Sequence, residues 1–234
     1  MPLGQIHLAF GVVGSSLCLL AVVTGARSQF PYAVRIATLA LILAAVGASG
    51  LPFAIWLAVG VIWLASRRWG VLRPAAGWLP AGRGKPAVWL STVGIVVAAP
   101  IGLLIWFRYV DQLPEVTTDL MEVARDLPLA VLLLAGLMFV MVNSVIEEVA
   151  YRGITFEGAN SIATPPWAIA SQAVAFGTFH VSGVPSGLVG VVLALAYGLA
   201  LGLIRQMSGG LRFPIVGHIV ADAAILTFVL VMAR

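Results

Sequence analysis

The chain has 234 residues, of which 61% are hydrophobic and 9% are charged, and its formal net charge is +4 at pH 7. A water-soluble domain carries about 25% charged residues, so this composition excludes a soluble enzyme, a nucleic-acid-binding domain and a disordered chain. The single cysteine, Cys18, excludes a disulfide framework and a cysteine-cluster metal site.

Apolar segments recur along the whole sequence. A hydrocarbon core of about 30 Å requires roughly 20 apolar residues per helix. Eight segments have this length or come close to it: 5–26, 32–48, 51–66, 87–107, 129–158, 166–182, 186–205 and 212–233. The pattern predicts an all-α fold, a polytopic transmembrane helical bundle of about eight spans. If the break around Gly50 and Pro52 is a kink instead of a turn, the number drops to seven.

The basic residues predict how these spans are oriented. In the eight-span arrangement most of them fall on one side: Arg27, Arg35, Arg67, Arg68, Arg73, Arg83, Lys85, Arg205 and Arg212. The positive-inside rule places that side in the cytoplasm and both termini outside. We expect one integral-membrane domain over 1–234, with N-terminal spans in 1–127 and the motif-bearing spans in 128–234. The Gly-, Ala-, Val- and Arg-rich composition suggests a bacterial cytoplasmic membrane.

Four of the nine acidic residues lie in or beside apolar segments, where a charge is costly. The other five fall in the polar stretch 108–127, and these four are Glu147, Glu148, Glu157 and Asp222. An ionisable side chain at the bilayer centre costs a few kcal/mol and usually faces a bundle interior or a wet cavity. Glu157, near the cytoplasmic end of its span, is expected to be solvated or to snorkel toward the interface, and not to be catalytic. The other three indicate a functional site.

Three short patterns contain the reactive side chains. In the first, Glu147-Glu148-Val149-Ala150-Tyr151-Arg152, a helix places Glu148 and Arg152 on one face, where they can pair. The second is Phe176-Gly177-Thr178-Phe179-His180, and the third is His218-Ile219-Val220-Ala221-Asp222. A helical rise of ~1.5 Å per residue brings the three to a similar depth if the first helix continues beyond Arg152. We therefore expect one polar site near mid-membrane, open toward the cytoplasm.

In this order the patterns EExxxR, FxxxH and HxxxD/N resemble the CPBP family of intramembrane glutamic endopeptidases. That family includes the type II CAAX prenyl endopeptidases and bacteriocin-linked immunity proteins. The resemblance covers about 140–225 and implies a peptidase whose catalytic core is 128–234. It implies that Glu147 and His180 activate a water molecule and that His218 and Asp222 stabilise the oxyanion. Glu148, Arg152 and Phe176 would be supporting residues, with no metal or other cofactor.

The chemistry of these side chains agrees with most of this assignment. Water is a poor nucleophile and needs a general base, which the Glu147 carboxylate can be. A carboxylate only accepts hydrogen bonds, so Asp222 can donate one to an oxyanion only when it is protonated. We therefore expect Asp222 to orient His218, and His218 to be the donor.

The residues alone leave other interpretations open. Glu148 with Arg152, and His218 with Asp222, could each be structural contacts between or within helices. A zinc-dependent intramembrane protease is another interpretation, because Glu, His and Asp are zinc ligands, but the sequence has no HExxH helix. A further one is a non-catalytic immunity or scaffold protein, or a proton-linked transporter without a recognisable inverted repeat. The expected partners are the lipid bilayer and a peptide or protein substrate, lipidated or not.

Overall fold

A computed structural model describes residue 59 and residues 81–110, 113, 115–162, 164–181 and 183–233 of the chain. These residues contain helices and connecting segments and no strand. The all-α prediction is therefore confirmed for the described part. The predicted spans 5–26, 32–48 and 51–66 lie outside the described residues, apart from Val59, so the total number of spans stays a prediction.

The described part of the chain contains seven α-helices. They are α1 (Pro86–Tyr109), α2 (Glu115–Asp126), α3 (Leu129–Glu148), α4 (Phe156–Ile162), α5 (Pro165–Phe179), α6 (Gly187–Ser208) and α7 (Arg212–Ala233). Between α3 and α4 the segment Val149–Thr155 is a π-helix, so the chain stays helical from Leu129 to Ile162. The helix that carries the first motif therefore continues beyond Arg152, as the depth argument requires.

Four of the described helical stretches are long and apolar enough to cross a membrane. They are Pro86–Tyr109, Leu129–Thr155, Gly187–Ser208 and Arg212–Met232. Each meets the length of about 20 apolar residues that a bilayer core requires. The chain is an integral membrane protein, and four of the predicted spans are found close to their expected bounds.

The predicted span 166–182 is shorter than expected. Helix α5 has 15 residues, from Pro165 to Phe179, which corresponds to roughly 22 Å of rise against a core of about 30 Å. Two prolines fix its start, and the chain turns after Phe179 through bends at residues 183–185. His180 therefore lies immediately after the C-terminal end of α5 and not inside a helix.

Helices α6 and α7 lie at the centre of the packing. Helix α6 packs on α5 and α1, while α7 packs on α1, α3 and α2. A buried apolar cluster joins α1, α6 and α7 through Val88, Ile95, Leu201, Ile204 and Phe213. A tight turn connects α6 to α7, because Gly209 adopts a left-handed φ of 71° and donates its N–H to the carbonyl of Arg205. This packing places α7 alongside the end of α3, where the first and third motifs meet.

Candidate active site

A fully buried ion pair closes the end of α3. Arg152 Nη1 donates to Glu148 Oε1 at 2.8 Å, and neither side chain has exposed surface. Removing two charges from water costs several kcal/mol per ion, and this cost is offset only by good geometry and further hydrogen bonds. Glu148 Oε1 also accepts from His218, but Glu148 Oε2 and Arg152 Nε and Nη2 have no hydrogen-bond partner among the described residues. The guanidinium also lies 4.6 Å from the ring centroid of Phe176, which adds a cation–π contact.

The π-helix, which carries Arg152, is held by contacts of its own and by contacts to α6. Within the π-helix, the Oγ1 of Thr155 donates to the carbonyl of Ala150 at 2.9 Å. Arg205 on α6 donates from Nε to the carbonyl of Arg152 at 3.2 Å. Its Nη2 lies 3.5 Å from Glu157 Oε1, with both side chains mostly buried. Glu157 is therefore part of an ion pair between α4 and α6, and its side chain is mostly buried instead of fully solvated.

His218 on α7 contacts both glutamates of the first motif. Its Nδ1 lies 2.7 Å from Glu148 Oε1, a hydrogen bond in which the ring donates to the carboxylate. On the other side of the ring, Nε2 lies 3.5 Å from Glu147 Oε2 and 3.6 Å from Asp222 Oδ1. Glu148 thus accepts the hydrogen bond that orients the ring, whereas Asp222 was expected to orient it. Glu148 is shared between Arg152 and His218.

Two residues outside the three motifs hold Asp222. Ser144 Oγ donates to Asp222 Oδ2 at 2.9 Å, and Asn143 Nδ2 donates to the same oxygen at 3.2 Å. Both side chains are buried. The sequence contained a signal for them, since each lies four residues before a glutamate of the first motif and is polar in an otherwise apolar run. Neither residue is among the predicted site residues.

His180 is connected to the rest of the site by Phe176, whose ring contacts both histidines. The Nδ1 of His180 lies 2.9 Å from the carbonyl of Phe176. A carbonyl only accepts, so Nδ1 carries the proton, and in the neutral ring Nε2 is an acceptor. The Phe176 ring lies 4.7 Å from the His180 ring and 5.8 Å from the His218 ring, centroid to centroid. The structure therefore brings the second motif to the first and third.

The side chains of the cluster differ in how much of their surface is exposed. The Glu147 side chain keeps 16% of its surface exposed, whereas Glu148 has none. His180 is also partly exposed, while His218 and Asp222 are buried. Glu147 and His180 therefore keep some exposed surface, whereas His218, Asp222 and Glu148 keep almost none. The catalytic roles given to Glu147, His180, His218 and Asp222 stay predictions at this point.

To bind a metal ion, this cluster would need several ligand side chains placed around one point. In the described part of the chain no three His, Cys, Asp or Glu side chains are placed to hold one metal ion. One oxygen of Glu148 is already shared between a guanidinium and an imidazole N–H. The arrangement fits a network of hydrogen bonds and ion pairs.

One comparison with known proteins matches the segment that carries the three motifs. The family model described as type II CAAX prenyl endopeptidase Rce1-like matches residues 129–224, which contain all three motifs. Neither the curated proteins nor the solved structures give a match. The match confirms the family resemblance and supports a CAAX-type intramembrane peptidase with a peptide substrate. Residues 129–224, the part of the chain that builds the polar cluster, are thus similar to the Rce1-like type II CAAX prenyl endopeptidases.

Proposed function

We propose that the protein is an intramembrane endopeptidase that hydrolyses a peptide bond with a water molecule activated by Glu147 and His180. The observation that supports this most directly is the division of the cluster by exposure. A partly exposed carboxylate, Glu147, lies against a buried framework of Glu148, Arg152 and His218. A general base must contact the water molecule that it deprotonates, and neighbouring side chains must fix its position.

In the proposed first step, a water molecule lies between Glu147 and His180. One of its hydrogens faces the Glu147 carboxylate and the other faces Nε2 of His180, which accepts because Nδ1 donates to Phe176. The water oxygen attacks the carbonyl carbon of the substrate, and Glu147 takes the proton. Protonated Glu147 then gives this proton to the leaving amine nitrogen as the C–N bond breaks. The carboxylate is regenerated without a metal or another co-reactant.

The negative charge on the tetrahedral intermediate requires a donor. We assign it to Nε2–H of His218, which needs a proton on both ring nitrogens because Nδ1 donates to Glu148. The carboxylates of Glu147 and Asp222 face Nε2 and balance the charge of such a ring. Asp222, which accepts hydrogen bonds from two side chains, acts on His218 and not on the oxyanion itself. Glu148 and Arg152 hold the ring in place.

The site is proposed to open toward the cytoplasm. His218 lies six residues after Arg212, about 9 Å along α7. The backbone N–H of Arg83 donates to the carbonyl of Ser208 at 2.7 Å, so Arg83, Lys85 and Arg212 lie at one end of the bundle. All three are exposed. Basic residues concentrate on the cytoplasmic side of membrane proteins, and the same rule supports our expectation of both termini outside.

The substrate class follows from the family that residues 129–224 match. We propose that the protein cleaves a peptide near its C-terminus within the membrane, and that an attached prenyl group is one form of that substrate. The test uses purified full-length protein in liposomes with two synthetic CAAX peptides, one farnesylated and one without the lipid. Cleavage is followed by mass spectrometry.

Two variants test the base directly. We expect Glu147→Gln and His180→Ala to lose cleavage activity by about 100-fold or more, in the range that general acid–base catalysis supplies. Glu122→Gln, an exposed glutamate on α2, is the matched control and should keep full activity. Full activity in Glu147→Gln would contradict the mechanism. Stoichiometric zinc that is lost together with activity would favour a metalloprotease, and a partner-binding phenotype that survives in Glu147→Gln would favour a scaffold.

A further inference from the structure

Asn143 and Ser144 form a buried polar pair on α3 to which the family motifs assign no role. Both donate to the same oxygen of Asp222, Oδ2, at 3.2 Å and 2.9 Å. A carboxylate oxygen that accepts two side-chain hydrogen bonds is fixed in position. Asp222 therefore cannot rotate freely, although it lies on a different helix from the two donors.

The pair also lies one helical turn before the two glutamates. Asn143 precedes Glu147 by four residues, and Ser144 precedes Glu148 by four. Residues four apart share a helix face, so the two donors and the two glutamates point toward α7 together. The Asn143 side chain also lies close enough to the Glu147 carboxylate to act on it. Asn143 thus links the proposed base to Asp222.

Two carboxylates face one ring nitrogen of His218. Glu147 Oε2 lies 3.5 Å and Asp222 Oδ1 lies 3.6 Å from Nε2. Two carboxylates that face the same nitrogen atom lie close enough to repel each other. Without an anchor, Asp222 could turn its carboxylate to take the place of Glu147 at Nε2. The hydrogen bonds at Oδ2 prevent this rotation and leave only Oδ1 facing the ring.

We propose that Asn143 and Ser144 are positioning residues of the peptidase site. They hold Asp222 by Oδ2, so that its Oδ1 faces Nε2 of His218 and Glu147 remains free to act on water. This inference rests on the proposed function. It assigns a role in catalysis to two residues that touch neither water nor substrate in the mechanism above.

The experiment measures kcat and KM of the full-length protein in liposomes with the farnesylated peptide. Ser144→Ala removes one oxygen atom from a buried side chain and should lower kcat by about tenfold, with KM unchanged, as expected for one hydrogen bond to a charged group. Asn143→Ala should lower kcat by at least as much, because it removes contacts to both Asp222 and Glu147. The matched control is Ser171→Ala, an exposed serine on α5, which should keep its kcat.

A double-mutant cycle separates positioning from a general structural role. In the Asp222→Ala background there is no carboxylate to hold, so Ser144→Ala should lower kcat by less than about twofold further. The unfolding temperature of each variant is measured beside its kcat. An equal kcat loss in both backgrounds, a change confined to KM, or a kcat loss that merely follows the loss of folded protein would overturn the inference.

The outcome also distinguishes this inference from the proposed function. If Glu147→Gln is inactive while Ser144→Ala and Asn143→Ala keep full kcat, the mechanism stands and the positioning role is wrong. If the wild-type protein cleaves neither peptide, or if Glu147→Gln keeps full activity, the proposed function and this inference fail together. Asn143→Asp, which keeps the size of the side chain but replaces a donor by an acceptor, should be at least as impaired as Asn143→Ala.

Discussion

Helices α2 and α3 are neighbours in the chain, but they distribute their side chains in opposite ways. Helix α2 buries apolar Met121 and Ala124 and exposes charged Glu122, Arg125 and Asp126. In α3 and the π-helix that follows it, the exposed side chains are apolar, with Leu137 at 58% and Met138 at 59% exposure. The buried side chains there include Asn143, Ser144, Glu148 and Arg152.

The difference reflects the solvent that each helix faces. A helix in water turns its charges outward, because hydration stabilises them and burial costs free energy. A helix in lipid turns its apolar side chains outward and can keep polar groups only where protein partners satisfy them. In α2 a charge therefore says little about function. In α3 each buried polar group needs a reason to be there, and the proposed active site supplies it.

The largest expected effect that tests this contrast is on the buried ion pair. Arg152→Ala leaves Glu148 buried without its cation, which should reduce the free energy of unfolding by about 3–5 kcal/mol. The variant should also lose peptidase activity, because Glu148 then no longer holds His218 in the same position. The measurement is unfolding in detergent, together with peptide cleavage. A loss below about 1 kcal/mol would mean that the pair is not essential to the fold.

A charge on the lipid-facing side of α3 should have the next largest effect. Met138 is 59% exposed near the middle of its span, and Met138→Asp should cost about 3 kcal/mol of insertion free energy. The amount of protein recovered in the membrane fraction measures it. Met138→Leu conserves volume and polarity and should insert like the wild type. Equal insertion of both variants would indicate that this face of α3 is not in lipid.

A smaller effect is expected where α5 and α6 approach each other. A Cβ added at Gly198 would lie 3.0 Å from the Cα of Ala173, whereas one at Gly94 would meet nothing within 4 Å. Gly198→Ala should therefore destabilise the protein by about 1–3 kcal/mol through overpacking. Gly94→Ala should be neutral or slightly stabilising, since alanine favours helix. Thermal unfolding of the two variants gives the comparison, and equal unfolding temperatures would contradict it.

The smallest effect is expected on α2. Arg125→Ala removes an exposed cation in the last turn of the helix, and surface substitutions of this kind usually change stability by less than about 0.5 kcal/mol. Unfolding is measured in parallel with Arg152→Ala. If the two arginine variants are destabilised equally, exposure does not separate the two helices as we have argued.

The sequence predicted the outline of the described fold, because lipid imposes a simple rule on span length and composition. The starts of α1, α3, α6 and α7 lie within one residue of the predicted spans. The short helix α5 departs from the prediction, since apolar composition continues past Phe179 although the helix does not. Hydropathy records which residues tolerate lipid, and it does not record where a turn ends a helix.

The sequence predicted which motif residues lie in the candidate site better than it predicted which of them contact each other. Glu148 and Arg152 pair as their spacing of four indicated, because that contact lies within one helical stretch. The hydrogen-bond partner of His218 depends on how α7 is rotated against α3. In this rotation the ring donates to Glu148 and lies beyond hydrogen-bond distance from Asp222. The partners of Asp222 lie 78 and 79 residues away in the chain, so no local pattern on α7 could identify them.

The sequence by itself determined that this protein lies in a membrane, that its described part is helical, and that a few ionisable groups lie at unusual positions in apolar runs. Composition and local spacing are sufficient for this, because the bilayer excludes unpaired polar groups and a helix fixes which residues share a face. Only the tertiary structure decided which carboxylate orients His218, which one keeps exposed surface, and which side chains anchor Asp222. These choices depend on the rotation and depth of one helix against another, and side-chain packing between distant segments sets both.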